Sequence, residues 1–163
     1  MQIMLWLVIA IIMFPICAFS GETSDKNQFY IINPKEFVGF EQCKVGTYLY
    51  ATLEKLHKDG MPINKDDGVW MYKIKSDFLD LPINKIRIGV CDDGSRACGW
   101  GEYLALVIQK SIKDTDLILL KKTGIDFKKE IRGSEAGETL QPILVQSKDN
   151  INESILFCDP GAL

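Results

Sequence analysis

In the stretch CDDGSRACGWGE at 91–102, two cysteines enclose two acids, a glycine, a serine and an arginine. Asp92, Asp93, Gly94 and Ser95 are a turn signal, because aspartate can bind its own backbone and glycine tolerates positive φ. A hairpin-like loop there can bring Cys91 and Cys98 to bridging distance. The bridged loop would carry Asp92, Asp93 and Arg96, with Trp100 just beyond it between two glycines. Arg and Trp dominate interface hot spots, and a stapled loop loses little freedom on binding. Asp92, Asp93, Arg96 and Trp100 are therefore the expected binding residues, and the expected partner is another protein. The same residues also suit a structural turn in which Trp100 packs beside the disulfide.

Two further cysteines follow from an even count. Once Cys17 leaves with an N-terminal leader, Cys43, Cys91, Cys98 and Cys158 remain. In an exported chain, four cysteines suggest two disulfides with three possible pairings. The short loop favours Cys91–Cys98 and leaves Cys43–Cys158 as a long staple. A structural zinc site is not expected, since the usual C-x₂₋₄-C pairs are absent, and no redox CxxC occurs.

His57, the single histidine, stands in LEKLHKDG near the end of a proposed helix. There it is favoured electrostatically without catalytic duty. No G-x-S-x-G elbow supports a serine nucleophile. Asp92-Asp93 and Asp66-Asp67 could form carboxylate dyads of the kind glycoside hydrolysis needs. Each pair, however, precedes a glycine in a turn, and adjacent acids need not face one another across a substrate. Neither acidic turn matches the calcium loop of an EF-hand. The sequence lacks G-x-G-x-x-G, G-x-x-x-x-G-K and H-E-x-x-H, so no cofactor and no metal is expected. Asn152-Glu153-Ser154 is a sequon that matters only in a eukaryotic secretory pathway. The chain carries 19 basic and 22 acidic residues, a net charge of −3. No dense run of Lys and Arg offers a footprint for nucleic acid.

The elements that must position these residues begin after a leader. From Ile3 to Phe19 no residue is charged. The run is short of the roughly 20 apolar residues that span a bilayer. Ala18 and Ser20 give the small-x-small pattern of a signal peptidase site, so residues 1–20 read as a signal peptide cut after Ser20. The absence of Lys and Arg before the apolar run makes an uncleaved anchor the competing reading, and Cys17 raises lipidation, although Phe14-Pro15-Ile16 lacks the small residue that lipidation wants. The expected location is periplasmic or secreted, with no membrane association after cleavage. Residues 21–163 then form a single domain.

Along that domain, FYII (29–32) reads as a strand and Asn33-Pro34 as a helix start. KEFVGFEQC is a short helix or turn, and Tyr48–Lys58 reads as a helix stopped at Asp59-Gly60. MPINKDDG reads as a loop. VWMYKIK (69–75) alternates with Trp70, Tyr72 and Ile74 on one face. DFLDLPINK reads as a connection broken by Pro82. IRIGV (86–90) and EYLALVIQK (102–110) are strands, the second apolar on both faces and hence central. In SIKDTDLILLKKTG, Asp114 is the expected cap, Leu117, Ile118 and Leu120 the buried face, and Gly124 the left-handed stop. IDFKKEIRGSEAGETLQ reads as a loop anchored by Ile125, Phe127 and Ile131. PILVQ (142–146) and SILFCD (154–159) read as a closing hairpin.

The expected fold is α+β: a mostly antiparallel sheet of five or six strands with two or three helices, stapled by disulfides. The expected function is that of an exported binding or inhibitor protein acting on another protein, as a periplasmic enzyme inhibitor or immunity protein does. A small exported hydrolase and a non-catalytic structural envelope protein are the alternatives.

Overall fold

The computed structural model describes residues 29–66, 68–89, 104–129 and 141–158. The leader at 1–20, the proposed Cys91–Cys98 loop with its neighbours, Ile131 with its polar stretch, and the last five residues lie outside them. The domain is α+β, as the pattern of the chain implies. Its strands are β1 (Tyr30–Ile31), β2 (Asn64–Asp66), β3 (Val69–Phe78), β4 (Leu81–Gly89), β5 (Leu104–Ile108), β6 (Ile143–Gln146) and β7 (Ser154–Cys158). The sheet order is β1-β3-β4-β5-β7-β6, with β2 also pairing with β3. Among the described strands only β1 and β3 run parallel; the other pairs are antiparallel. The helices are α1 (Thr47–Asp59) and α2 (Ile112–Thr123), preceded by short 3₁₀ turns at Pro34–Phe37 and Phe40–Gln42.

Alternation sets the core. Tyr72 and Ile74 of β3, Ile86 and Ile88 of β4, and Leu104, Leu106 and Ile108 of β5 are buried on one face. Leu49, Leu53 and Leu56 of α1, at i, i+4 and i+7, and Leu119 of α2 cover that face. Burying each such leucine or isoleucine contributes about 1.5–3 kcal/mol. Ala105, Val107 and Ile155 form a smaller buried cluster apart from the main core, with Val145 and Phe157 against it. All five residues of β5 are therefore buried, which suits its central place between β4 and β7.

The structure corrects the sequence reading in three places. MPINKDDG is not all loop: residues 64–66 are β2, and Gly68 at φ 74° turns the chain into β3. DFLDLPINK is a hairpin rather than a connection. Phe78 pairs with Leu81, and Pro82 sits inside β4 opposite Asp77. On α2 the cap is Ser111, whose hydroxyl oxygen accepts from the Asp114 amide; Asp114 sits in the first turn and accepts from that hydroxyl. The buried residues of α2 are Thr115 and Leu119, whereas Leu117 and Leu120 are 68% and 46% exposed. Gly124 does end the helix in the left-handed region, at φ 73°.

One disulfide, Cys43–Cys158, is formed among the described residues, its Cα atoms 5.4 Å apart. It joins positions 115 residues apart. Closing so long a loop restricts the unfolded chain by about 4–5 kcal/mol on the chain-entropy account.

Candidate binding cleft

The β3–β4 hairpin is bent before it reaches its tip. Between the pairs Lys73↔Lys85 and Ser76↔Ile83, two residues of β3 stand opposite one of β4; against β5, Asn84 is itself an extra residue. Such bulges bend a hairpin and re-aim its side chains. Phe78 near the tip meets the two 3₁₀ turns, its ring edge-on to Phe37 at 6.4 Å and to Phe40 at 5.7 Å between centroids.

The tip is a two-residue loop, Leu79-Asp80, with φ of 51° and 64°. Positive φ at both central residues is the type I′ turn, normally built from Asn-Gly or Asp-Gly. Leucine followed by aspartate holds the same geometry at a cost. Leu79 packs against the core, and Asp80 pairs with Lys122 of α2. Between this tip, the 3₁₀ turns and the end of α2 lies a cleft of about 420 Å³, lined by Phe37, Val38, Phe78, Leu79, Lys122 and Ile125 among others. Its lining is largely apolar. Val38 is 74% exposed at its edge. Such a site can seat an apolar side chain or small apolar group, with Lys122 and Glu41 as polar neighbours.

The wall made by the 3₁₀ turns is held in an unusual way. Asn33 accepts from the Lys35 amide and starts the first turn, with Pro34 at its first position. Gly39 at φ 96° and Cys43 at φ 52° are both left-handed. The amides of Gln42 and Lys44 both donate to the Gly39 carbonyl, closing a tight loop.

A polar cluster lies apart from the cleft. The bulge directs both Asn84 and Lys85 to Glu153, with Asn84 Nδ2 2.7 Å and Lys85 Nζ 3.0 Å from its carboxylate oxygens. Burial opposes ionisation of Glu153, but the hydrogen bonds from Asn84 and Lys85 and the charges of Lys85 and Arg87 outweigh it, holding the carboxyl below its ordinary range. Glu153 thereby ties the β6–β7 turn to β4. A second cleft of about 400 Å³ lies between β1 and α1, beside Tyr30, Thr52 and Lys55.

His57 stands in the last turn of α1, stacked on Trp70 at 4.8 Å, while Lys65 Nζ lies 3.9 Å from the Trp70 ring centre. His57 Nδ1 makes no hydrogen bond among the described residues. Among those residues no group of three or more His, Cys, Asp or Glu is arranged to hold a metal. No helix there is long and apolar enough to cross a membrane.

Of the residues expected to bind, Asp92, Asp93, Arg96 and Trp100 lie outside the described residues, as do Cys91 and Cys98. The strands flanking them, β4 and β5, are antiparallel neighbours. The cleft residues were missed by sequence reasoning because they carry no chemical motif. The Leu79-Asp80 turn has no glycine to mark it as a hairpin tip, and Pro82 after it reads as a break. No known family, curated protein or solved structure matches the chain.

Proposed function

We propose that this chain is an exported binding protein that acts on another protein, and that the cleft at the tip of the β3–β4 hairpin seats an apolar side chain of the partner. The observation that carries this reading is the Leu79-Asp80 turn. Two non-glycine residues held in the left-handed region cost stability, and such strain gathers at binding and switch sites. Here it sets Leu79 beside Phe78 on the cleft. Asp92, Asp93, Arg96 and Trp100 remain the proposed second contact. The export half of the reading rests on the apolar, uncharged first twenty residues.

The test is site-specific photocrosslinking in the producing cell. A photoreactive residue at Val38, on the cleft, should give one discrete adduct. The same residue at Ile151, 77% exposed on the β6–β7 turn, should give none. Equal labelling from both positions, or none from Val38, would remove the cleft from consideration. Mass analysis of the recovered protein tests export separately: a chain beginning at Gly21 supports it, and one retaining the first twenty residues counts against cleavage.

A further inference from the structure

We propose that the Cys43–Cys158 disulfide is a reducible clamp on the cleft wall, so that its reduction loosens residues 34–46 while the sheet stays folded. The inference concerns regulation of the cleft proposed above, and it rests on how this wall is attached.

From Pro34 to Gly46 the described backbone hydrogen bonds close within the segment, onto the adjoining Asn33, or onto the start of α1. Glu36 donates to Asn33, Val38 to Lys35, Gln42 and Lys44 to Gly39, and Cys43 to Phe40. None joins the segment to the sheet. Its ties elsewhere include the Phe37 and Phe40 rings in the core, Val45 packed against that core, the Thr52 hydroxyl donating to Glu36, the contact of Cys158 Sγ with the Phe40 carbonyl, and the disulfide. Apart from the main chain at its two ends, the disulfide is the one covalent tie of this segment among the described residues, and it reaches β7, which is hydrogen-bonded on both sides. Cys43 is also left-handed, a conformation a free cysteine rarely adopts. Once the bond opens, the backbone at Cys43 is free to leave that region. The loop closed onto Gly39, and with it Glu41, Gln42 and Val38 on the cleft, loses its anchor to β7.

The two cysteines differ in exposure. Cys158 is 2% exposed, whereas Cys43 is half-buried. A dithiol reductant therefore attacks Cys43. Its thiolate bonds to Cys43 Sγ, the disulfide breaks, and Cys158 leaves as a thiolate that takes up a proton. The second thiol of the reagent then closes on the reagent's own sulfur and releases Cys43 as a thiol. The protein gains two electrons and two protons, and the dithiol becomes a cyclic disulfide.

Short-pulse amide hydrogen exchange on the full chain tests the clamp. Three samples are compared: oxidised protein, protein held in a dithiol, and the Cys43→Ser/Cys158→Ser variant, which leaves Cys91 and Cys98 untouched. Exchange in 34–46 should rise by about an order of magnitude or more in the second and third samples, the kind of difference that separates loose loops from core ladders. β5 and β7 should stay protected through the pulse. Unchanged exchange in 34–46 overturns the clamp, and so does loss of protection throughout β5 and β7, which would make the bond a global staple. If the variant fails to fold, the dithiol sample decides alone. Because the readout is exchange, the clamp stands or falls independently of the Val38 crosslink. A missing crosslink in oxidised protein would sink the partner reading and leave the clamp intact.

Discussion

Replacing Asp80 by glycine should make the domain more stable, although it deletes an ion pair. At φ 64°, Asp80 occupies a region that costs an ordinary L-residue about 1–2 kcal/mol, with aspartate at the low end. Glycine removes that cost. The pair with Lys122 is lost, but Asp80 is 82% exposed, and such pairs contribute at most about 0.5–1 kcal/mol. Taking about 1 kcal/mol for aspartate and about 0.5 kcal/mol for so exposed a pair, the difference is a gain of about 0.5 kcal/mol. For a chain of this size that raises Tm by about 1–2 °C. Thermal unfolding followed by circular dichroism resolves such a shift, and Lys122→Ala measured alongside isolates the ion pair. Leu79→Gly is the contrast, because relief at φ 51° is offset by the lost packing of a leucine against the core. It should come out neutral or destabilising. A fall in Tm of more than a degree for Asp80→Gly, with Lys122→Ala neutral, would refute the argument that the turn is strained.

Three other outcomes are expected. In urea, the Cys43→Ser/Cys158→Ser variant should lose about 4–5 kcal/mol of unfolding free energy, as the chain-entropy account of a loop this long requires; a loss under about 1 kcal/mol would reject that account here. Leu119→Ala should cost about 2–5 kcal/mol and Leu117→Ala under about 0.5 kcal/mol, and equal losses would mean that the buried face of α2 is misassigned. Glu153→Gln should cost about 1–2 kcal/mol near neutral pH. Because the folded carboxyl sits below its ordinary value of 4.5, its contribution is present above that value and fades as pH falls through the lower, folded one; the variant should therefore lose less stability than the parent on acidification below about pH 4.5, and parallel pH profiles would contradict the assignment.

The regular parts of the fold were legible because their periods were clean. β3 and β4 alternate, β5 is apolar on both faces, and Asp59-Gly60 and Gly124 mark helix ends by ordinary turn chemistry. The α2 face was not legible. Leu117, Ile118, Leu119 and Leu120 are consecutive, so hydrophobicity alone does not set the phase. What sets it is Thr115, fully buried because its hydroxyl shares a hydrogen bond of 2.8 Å with Ser154 of β7. A polar residue in the core, satisfied by one thirty-nine positions away, looks like surface in the sequence. The β3–β4 tip failed for the converse reason: its geometry is imposed by the strands and by packing of Leu79, against the preference of its own residues. β2 was overlooked because its polar residues, NKD, have no apolar alternation, although Asp67-Gly68 is a hairpin signal. The cleft assembles side chains from three separate segments without a shared motif, so only the fold could disclose it.

The position of β7 sets an order on how this molecule can come into being. β7 lies between β5 and β6 and bonds to both, five residue pairs on one side and four on the other. Until Ser154–Cys158 has been synthesised, β5 lacks one neighbour, β6 has nothing to pair with, and Cys43 lacks its mate. A growing chain can form the β3–β4 hairpin and α1 early, but the sheet closes only at the last strand described. Non-local closure of this kind is slow, so the edge of β5 that β7 will cover stays open to other pairing until the last described strand docks.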